Sequence, residues 1–168
     1  MKIIVASDYE MMSRNAAQMI ASQIQRKPAG VLGLATGSTP IGTYRQLIQM
    51  YREGKADFSE VQTVNLDEYA GLPRSHPQSF RYFMDNCFFR YVNVKKENIH
   101  FPLSAEDDYD RTAEEYEEQI RGLGQIDMQI LGIGGNGHIG FNEPADYIKS
   151  DNYGRSKCDV GPKGYSTG

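Results

Sequence analysis

Cysteine is scarce in this chain. Its 168 residues include two, Cys87 and Cys158, far apart and in no CxxC pair. That pattern argues for a core thiol and a surface thiol in a reducing compartment rather than a disulfide. Long apolar runs are missing as well, and no stretch approaches membrane-spanning length. The N-terminus, MKIIVASDYE, turns polar after four apolar residues, too few for a signal peptide. Cytoplasm is the expected location, with no membrane partner. Clustered basic residues are also lacking. Eighteen Lys and Arg stand against 22 Asp and Glu, for a net charge of −4, and no basic run is interleaved with aromatics. Nucleic acid, which needs Lys and Arg clustered against its phosphates, is not an expected partner.

What is present is ordinary globular usage, 39% hydrophobic and 24% charged, in a chain long enough for one domain with its own core. Short apolar runs alternate with longer amphipathic ones. Lys2 to Ala6 reads as a first strand. Ser7 to Glu10 reads as a capping box opening a helix that carries Met11, Ala16, Met19, Ile20 and Ile24 and stops before Pro28. Gly30 to Ala35 is a second strand, apolar on both faces as a central parallel strand should be. A loop, Thr36 to Pro40, leads into a helix running to about Glu53 and ended by Gly54. Val61 to Leu66 is a third strand. Pro77 opens an aromatic helix bearing Phe80, Tyr82, Phe83, Phe88 and Phe89, a stripe expected in the core. Asn98 to Phe101 is a short strand, Asp107 to Leu123 an acidic helix with a solvated face at Glu114, Glu115, Glu117 and Glu118, and Ile126 to Leu131 the last strand. The alternation implies an α/β fold, an open parallel sheet with helices on both faces, Rossmann-like. Residues 1–144 form this domain. Residues 145–168 contain five glycines and prolines and no periodic pattern, and are expected to be a poorly ordered or loosely attached tail.

Ligands of open parallel sheets bind beyond the carboxyl ends of the strands, where three loops fall. Thr36, Gly37, Ser38 and Thr39 place backbone N–H groups at a helix start, together with the Ser38 and Thr39 hydroxyls, which suits phosphate. It is not a Walker loop, since the Lys and its spacing are missing. Asp67, at the end of the third strand, is placed to act as a general base, although adjacent acids there also serve as caps. The run Gly132 to Pro144, GIGGNGHIGFNEP, is the richest in chemistry. Its glycines, among them Gly135 and Gly137, admit a ligand close to the backbone. Asn136 and Asn142 can hydrogen-bond it, His138 can move protons near neutral pH, and Glu143 is a carboxylate within reach. The formal GxGxxG match is followed by no apolar-periodic helix, which speaks against a nicotinamide cofactor. His138 has no second His or Cys at ligand spacing, which speaks against a metal. His76 and His100 read as structural.

Three motifs together, LATGSTP, NLDEYAGL with HPQSF after it, and GIGGNGHIGFNEP, resemble the glucosamine-6-phosphate deaminase family from Met1 to about Pro144. The resemblance implies an aldose–ketose isomerase and deaminase of amino-sugar catabolism that turns glucosamine 6-phosphate and water into fructose 6-phosphate and ammonia. Asp67 would remove the C2 proton of the opened sugar, His138 would shuttle the proton that opens the ring, and Glu143 would orient His138. The Gly37-Ser38-Thr39 backbone would hold the 6-phosphate. No metal or organic cofactor is implied, and the partner is a small sugar phosphate; some family members are homo-oligomers. Many members carry Asp where this chain has Asn136, which would leave Glu143 as the carboxylate partner of His138. The related 6-phosphogluconolactonase family shares a similar GSTP-like loop and a glycine-rich GH loop, but usually has Arg at the position of Tyr69 and lacks the FNEP ending. It is the alternative, together with a non-catalytic sugar-phosphate-binding fragment, because the tail after about residue 145 does not resemble the family's continuation and the sequence reads as truncated there.

Overall fold

The computed structural model describes residues 3–102, 109–140, 142 and 144. The expected tail, 145–168, lies outside them, as do Lys2, Asp107 and Glu143. Helix α1 spans Tyr9–Arg26. Its cap is Asp8 rather than Ser7: Asp8 Oδ1 accepts from the Met11 N–H at 2.8 Å, and Ser7 Oγ donates to the other carboxylate oxygen. The capping carboxylate beats the hydroxyl because it accepts the orphan N–H as an anion at the positive helix end. Buried residues Ser13, Ala17, Ile20, Ala21 and Ile24 recur at helical spacing and form the inward stripe. Met11 and Met19 fall off it and are 39% and 49% exposed.

Strand β1 (Val31–Leu34) is buried throughout. Helix α2 (Ile41–Arg52) follows it, with Pro40 at its cap, and Gly54 takes φ +69° just past its end. Strand β2 (Gln62–Asn65) leads to α3 (Phe80–Cys87). Strand β3 (Ile99–His100), α4 (Tyr109–Gly122) and β4 (Met128–Gln129) complete the order. The strands lie in the sequence β3-β2-β1-β4, each pair parallel.

Alternating side chains of the sheet divide between two cores. Leu32 and Leu34 join the α1 stripe, Leu47 of α2, Met84 of α3, Phe58 and Phe88 in the larger cluster. Val31 and Val64 point the other way, into a smaller cluster with Tyr116 and Ile120 of α4. Each such fully buried side chain contributes about 1.5–3 kcal/mol. The aromatic segment is core as expected at Phe88 and Phe89, while Tyr82 is 39% exposed. Glu114, Glu115 and Glu118 are exposed on α4.

Residues 3–6, expected as the first strand, pair with nothing among the described residues, and Ile3 and Val5 are 74% and 90% exposed. A β-branched apolar run becomes a strand only beside an edge that can take its backbone bonds. Residues 3–6 pair with neither of the open edges of the described sheet, β3 and β4.

Candidate active site

The chain runs outward from β1 through β2 to β3, then returns to place β4 on the other side of β1. The strand order therefore reverses between β1 and β4, where open parallel sheets hold their ligands. Leu34 lies opposite Asn65, and Gly33 opposite Gln129. Thr36, Asp67 and Gly132 consequently leave three neighbouring strands at one rim.

The loop after β1 is shaped by Gly37, at φ +97°, a left-handed conformation that side chains resist. Gly37, Ser38 and Thr39 are exposed, and no described residue accepts a hydrogen bond from their backbone N–H groups. They stand free at the start of α2, where the helix dipole adds positive potential. A residue 30 positions away braces this loop. The Tyr9 hydroxyl shares its proton between the carbonyls of Ser38 and Thr39, at 3.2 and 2.9 Å, and accepts from Gly42 N–H at 2.8 Å. It ties the carbonyl side of the loop to α1 and leaves the N–H side open. Tyr44 holds the loop's entry through a 2.6 Å bond from its hydroxyl to Ala35 O. No local motif in the sequence marks Tyr9 for this task, because the contact is made between helices.

Beyond β2, Asp67 and Glu68 point in different directions. Glu68 is 1% exposed. Its Oε1 accepts from Tyr69 and Phe80 N–H at 2.9 and 2.7 Å, and its Oε2 from Arg81 N–H at 2.8 Å. Ser79 Oγ accepts from Tyr82 N–H at 3.0 Å, so the first amides of α3 all have acceptors. Asp67 is half-buried. Burial, and then the neighbouring Glu68 charge, push its carboxyl up to about 6. Such a carboxyl is a base at neutral pH with more proton affinity than an ordinary aspartate. A Cβ added at Gly140 would sit 3.3 Å from Asp67 Oδ2, so the glycine-rich loop passes directly against this group.

That loop is a chain of tight turns. Gly134 N–H donates to His138 O at 2.8 Å, and Gly137 N–H to Gly134 O at 2.9 Å. Ile139 and Asn142 exchange backbone bonds at 3.1 and 3.0 Å around Gly140, whose φ is +60°. The His138 ring lies on Gly134, where an added Cβ would overlap it. The amide oxygen of Asn136 meets both the backbone N–H of His138 and ring Nδ1. An amide oxygen only accepts, so Nδ1 is the nitrogen that donates here, and in the neutral tautomer this leaves the lone pair on Nε2. Asn136 thus holds the ring from a position the sequence reading assigned to substrate contact. Around Gly135 an added Cβ would meet no described residue within 4 Å. The structure brings Asp67 and the His138 loop together, and sets the Thr36–Thr39 loop on the same rim. His76 and His100 are engaged elsewhere, His76 accepting from Gln78 N–H at 3.1 Å and His100 bridging Gln62 and Gln119 at 2.8 and 2.9 Å. Among the described residues no three His, Cys, Asp or Glu gather as a metal would need.

Residues 7–141 match the model of the glucosamine-6-phosphate isomerase/6-phosphogluconolactonase family. The glucosamine-6-phosphate deaminase of Thermoanaerobacter sp. (strain X514) is 55% identical over 150 residues, covering 89% of this chain and 59% of the relative. That of Clostridium botulinum (strain Kyoto / Type A2) is 54% identical over 153 residues, covering 91% of this chain and 63% of the relative. The chain thus spans about three-fifths of the length of these relatives. A solved monomeric glucosamine-6-phosphate deaminase superposes with a TM-score of 0.85 at 45% identity, over 89% of this chain and 62% of that one. The 6-phosphogluconolactonase of Thermotoga maritima shares the fold, with a TM-score of 0.67 at 21% identity over 82% of this chain and 61% of that one. With its motifs on one sheet rim and its sequence matched over most of its length, this chain belongs to the glucosamine-6-phosphate isomerase/6-phosphogluconolactonase family.

Proposed function

We propose that this chain carries the deaminase–isomerase site of an amino-sugar phosphate enzyme, acting on glucosamine 6-phosphate and water to give fructose 6-phosphate and ammonia. The observation that carries the reading is the placement of the Asp67 carboxyl against Gly140, two residues from His138, beside the open amides of the Thr36–Thr39 loop. Isomerisation needs one base at C2 and one proton carrier at the ring oxygen, held at fixed distance from an anchored phosphate. Nε2 of His138, on a ring that Asn136 holds through Nδ1, takes and returns the proton that opens the pyranose. Asp67 removes the C2 proton, which is delivered to C1; water then adds at C2 as ammonia leaves. Gly37, Ser38 and Thr39 hold the 6-phosphate, with Thr36 beside them, and Gly135 and Gly137 let the sugar approach the backbone. Glu143 takes the role of second partner to the imidazole. The protein works in the cytoplasm.

The relatives named as deaminases support this reading over lactone hydrolysis, and Tyr69 in place of the lactonase Arg supports it too. Purified chain is expected to release ammonia from glucosamine 6-phosphate, and Asp67→Asn to abolish the release while leaving sugar-phosphate binding intact. Full activity in Asp67→Asn would remove that residue from the chemistry. Hydrolysis of 6-phosphogluconolactone without ammonia release would favour the sister activity. Binding of sugar phosphate with neither reaction would make the chain a binding fragment.

A further inference from the structure

Glu68 is the one carboxylate in the described structure that is almost wholly enclosed, at 1% exposure, and the reaction proposed above does not use it. Three backbone N–H groups, from Tyr69, Phe80 and Arg81, close on its two oxygens within 2.9 Å. Two of them are the leading amides of α3, so the side chain clamps the end of β2 to the start of a helix twelve residues further on. The clamp leaves Asp67 no freedom to follow Glu68, and its carboxyl faces the opposite way, toward Gly140.

We propose that Glu68 is a positioning residue for Asp67: anchored on the amides of α3, it fixes the turn that aims the Asp67 carboxyl at the glycine-rich loop and keeps a negative charge beside it. The proposal rests on the reading of Asp67 as the base. The Glu68 charge also adds to burial in raising Asp67. Other groups facing Asp67 do not replace it. Tyr116 of α4, which has Asp67, Arg74 and Glu117 within electrostatic reach, donates its hydroxyl proton to Asn65 O and His100 O at 2.7 and 3.0 Å. On the glycine-rich loop, Gly140 and Asn142 are uncharged, and the nearest titratable group among the described residues there is His138, two residues before Gly140. Two adjacent carboxyls with environments this different divide the labour between them: one binds backbone, the other is left to bind a proton.

The test is a pH titration of the whole chain labelled with 13C at aspartate Cγ, the Asp67 signal being the one lost in Asp67→Asn. In the unaltered protein its midpoint is expected at about 6. In Glu68→Gln it is expected to fall toward the ~3.9 of an unperturbed aspartate, with ammonia release retained further into acid and turnover reduced. An unchanged midpoint in Glu68→Gln overturns the proposal. Should that variant fail to fold, Glu68→Asp keeps the charge but is one methylene too short for the α3 amides. There the midpoint is expected to stay near 6 while the Phe80 and Arg81 amide resonances move; a midpoint that drops to the ordinary value, or amides that stay put, overturns it equally. The two readings separate cleanly. An unaltered chain that titrates as described but releases no ammonia sinks the proposed reaction and leaves the clamp standing.

Discussion

Asp67 sets proton affinity against stability. Its folded-state midpoint, about 6, lies above the ordinary 3.8, so between those values the folded protein holds a proton that the unfolded chain releases. Stability therefore falls as pH rises through this window. Asp67→Asn removes the buried charge and is expected to stabilise the protein at pH 7 by about 1–2 kcal/mol, the full shift being discounted for the group's partial exposure. Urea unfolding at pH 7 and again below pH 4, where the gain should vanish, measures it. On the proposed reading of Asp67 as the base, the same midpoint is expected to set the acid limb of ammonia release, with activity lost as pH falls below about 6. Gly134 makes a second prediction. Its missing Cβ is the room the His138 ring occupies, so Gly134→Ala should displace the ring and cut turnover at least tenfold with little change in melting temperature. Residue types and spacing disclosed Asp67, His138 and the free amides of Ser38 and Thr39, because each follows a strand end. They did not disclose that Asn136 grips the ring or that Glu68 clamps α3, since the first depends on where a side chain turns within two residues and the second on a contact twelve residues away.

Helices α1 and α2 cross closely at Gly42. A Cβ on Gly42 would lie 2.3 Å from Ser13 Oγ and 2.8 Å from the Tyr9 ring. Gly42→Ala is expected to cost about 1–3 kcal/mol by overpacking. Ser13 Oγ is itself buried with no hydrogen-bond partner among the described residues, so Ser13→Ala should be neutral or stabilising by up to about 1 kcal/mol; a clear loss in thermal unfolding would show that the hydroxyl is bonded after all. Tyr9→Phe keeps the ring in the crossing and deletes the hydroxyl that ties down Ser38 and Thr39. It should weaken sugar-phosphate binding several-fold by calorimetry, with binding of unphosphorylated glucosamine unchanged. Elements bounded by glycine or proline, such as β1 and α2, were legible to within about two residues. The run after Met1 was not, because strand formation is decided by a neighbour and not by the run itself. The last strand shrank from six expected residues to Met128–Gln129 for the same reason: it has a described partner on one side alone.

At the scale of the molecule, apolar side chains stand in solvent along two segments, Ile3 and Val5 before α1 and Leu131 and Ile133 after β4. Isolated exposed residues mean little, but segments that expose apolar side chains in succession invite association. An Ile3→Lys/Val5→Lys variant is expected to self-associate less in sedimentation velocity, with thermal unfolding unchanged. The fold as a whole was legible because βα alternation leaves few topologies; the reversal between β1 and β4 was not, since no local pattern says on which side of β1 the fourth strand lands. That reversal also orders events in time. About a hundred residues separate the Thr36–Thr39 loop from the His138 loop, and the later one reaches its seat only when β4 docks behind β1. A chain emerging from the ribosome thus owns a place for an anion long before it owns a means of moving protons, and a folding intermediate lacking β4 would grip sugar phosphates without consuming them.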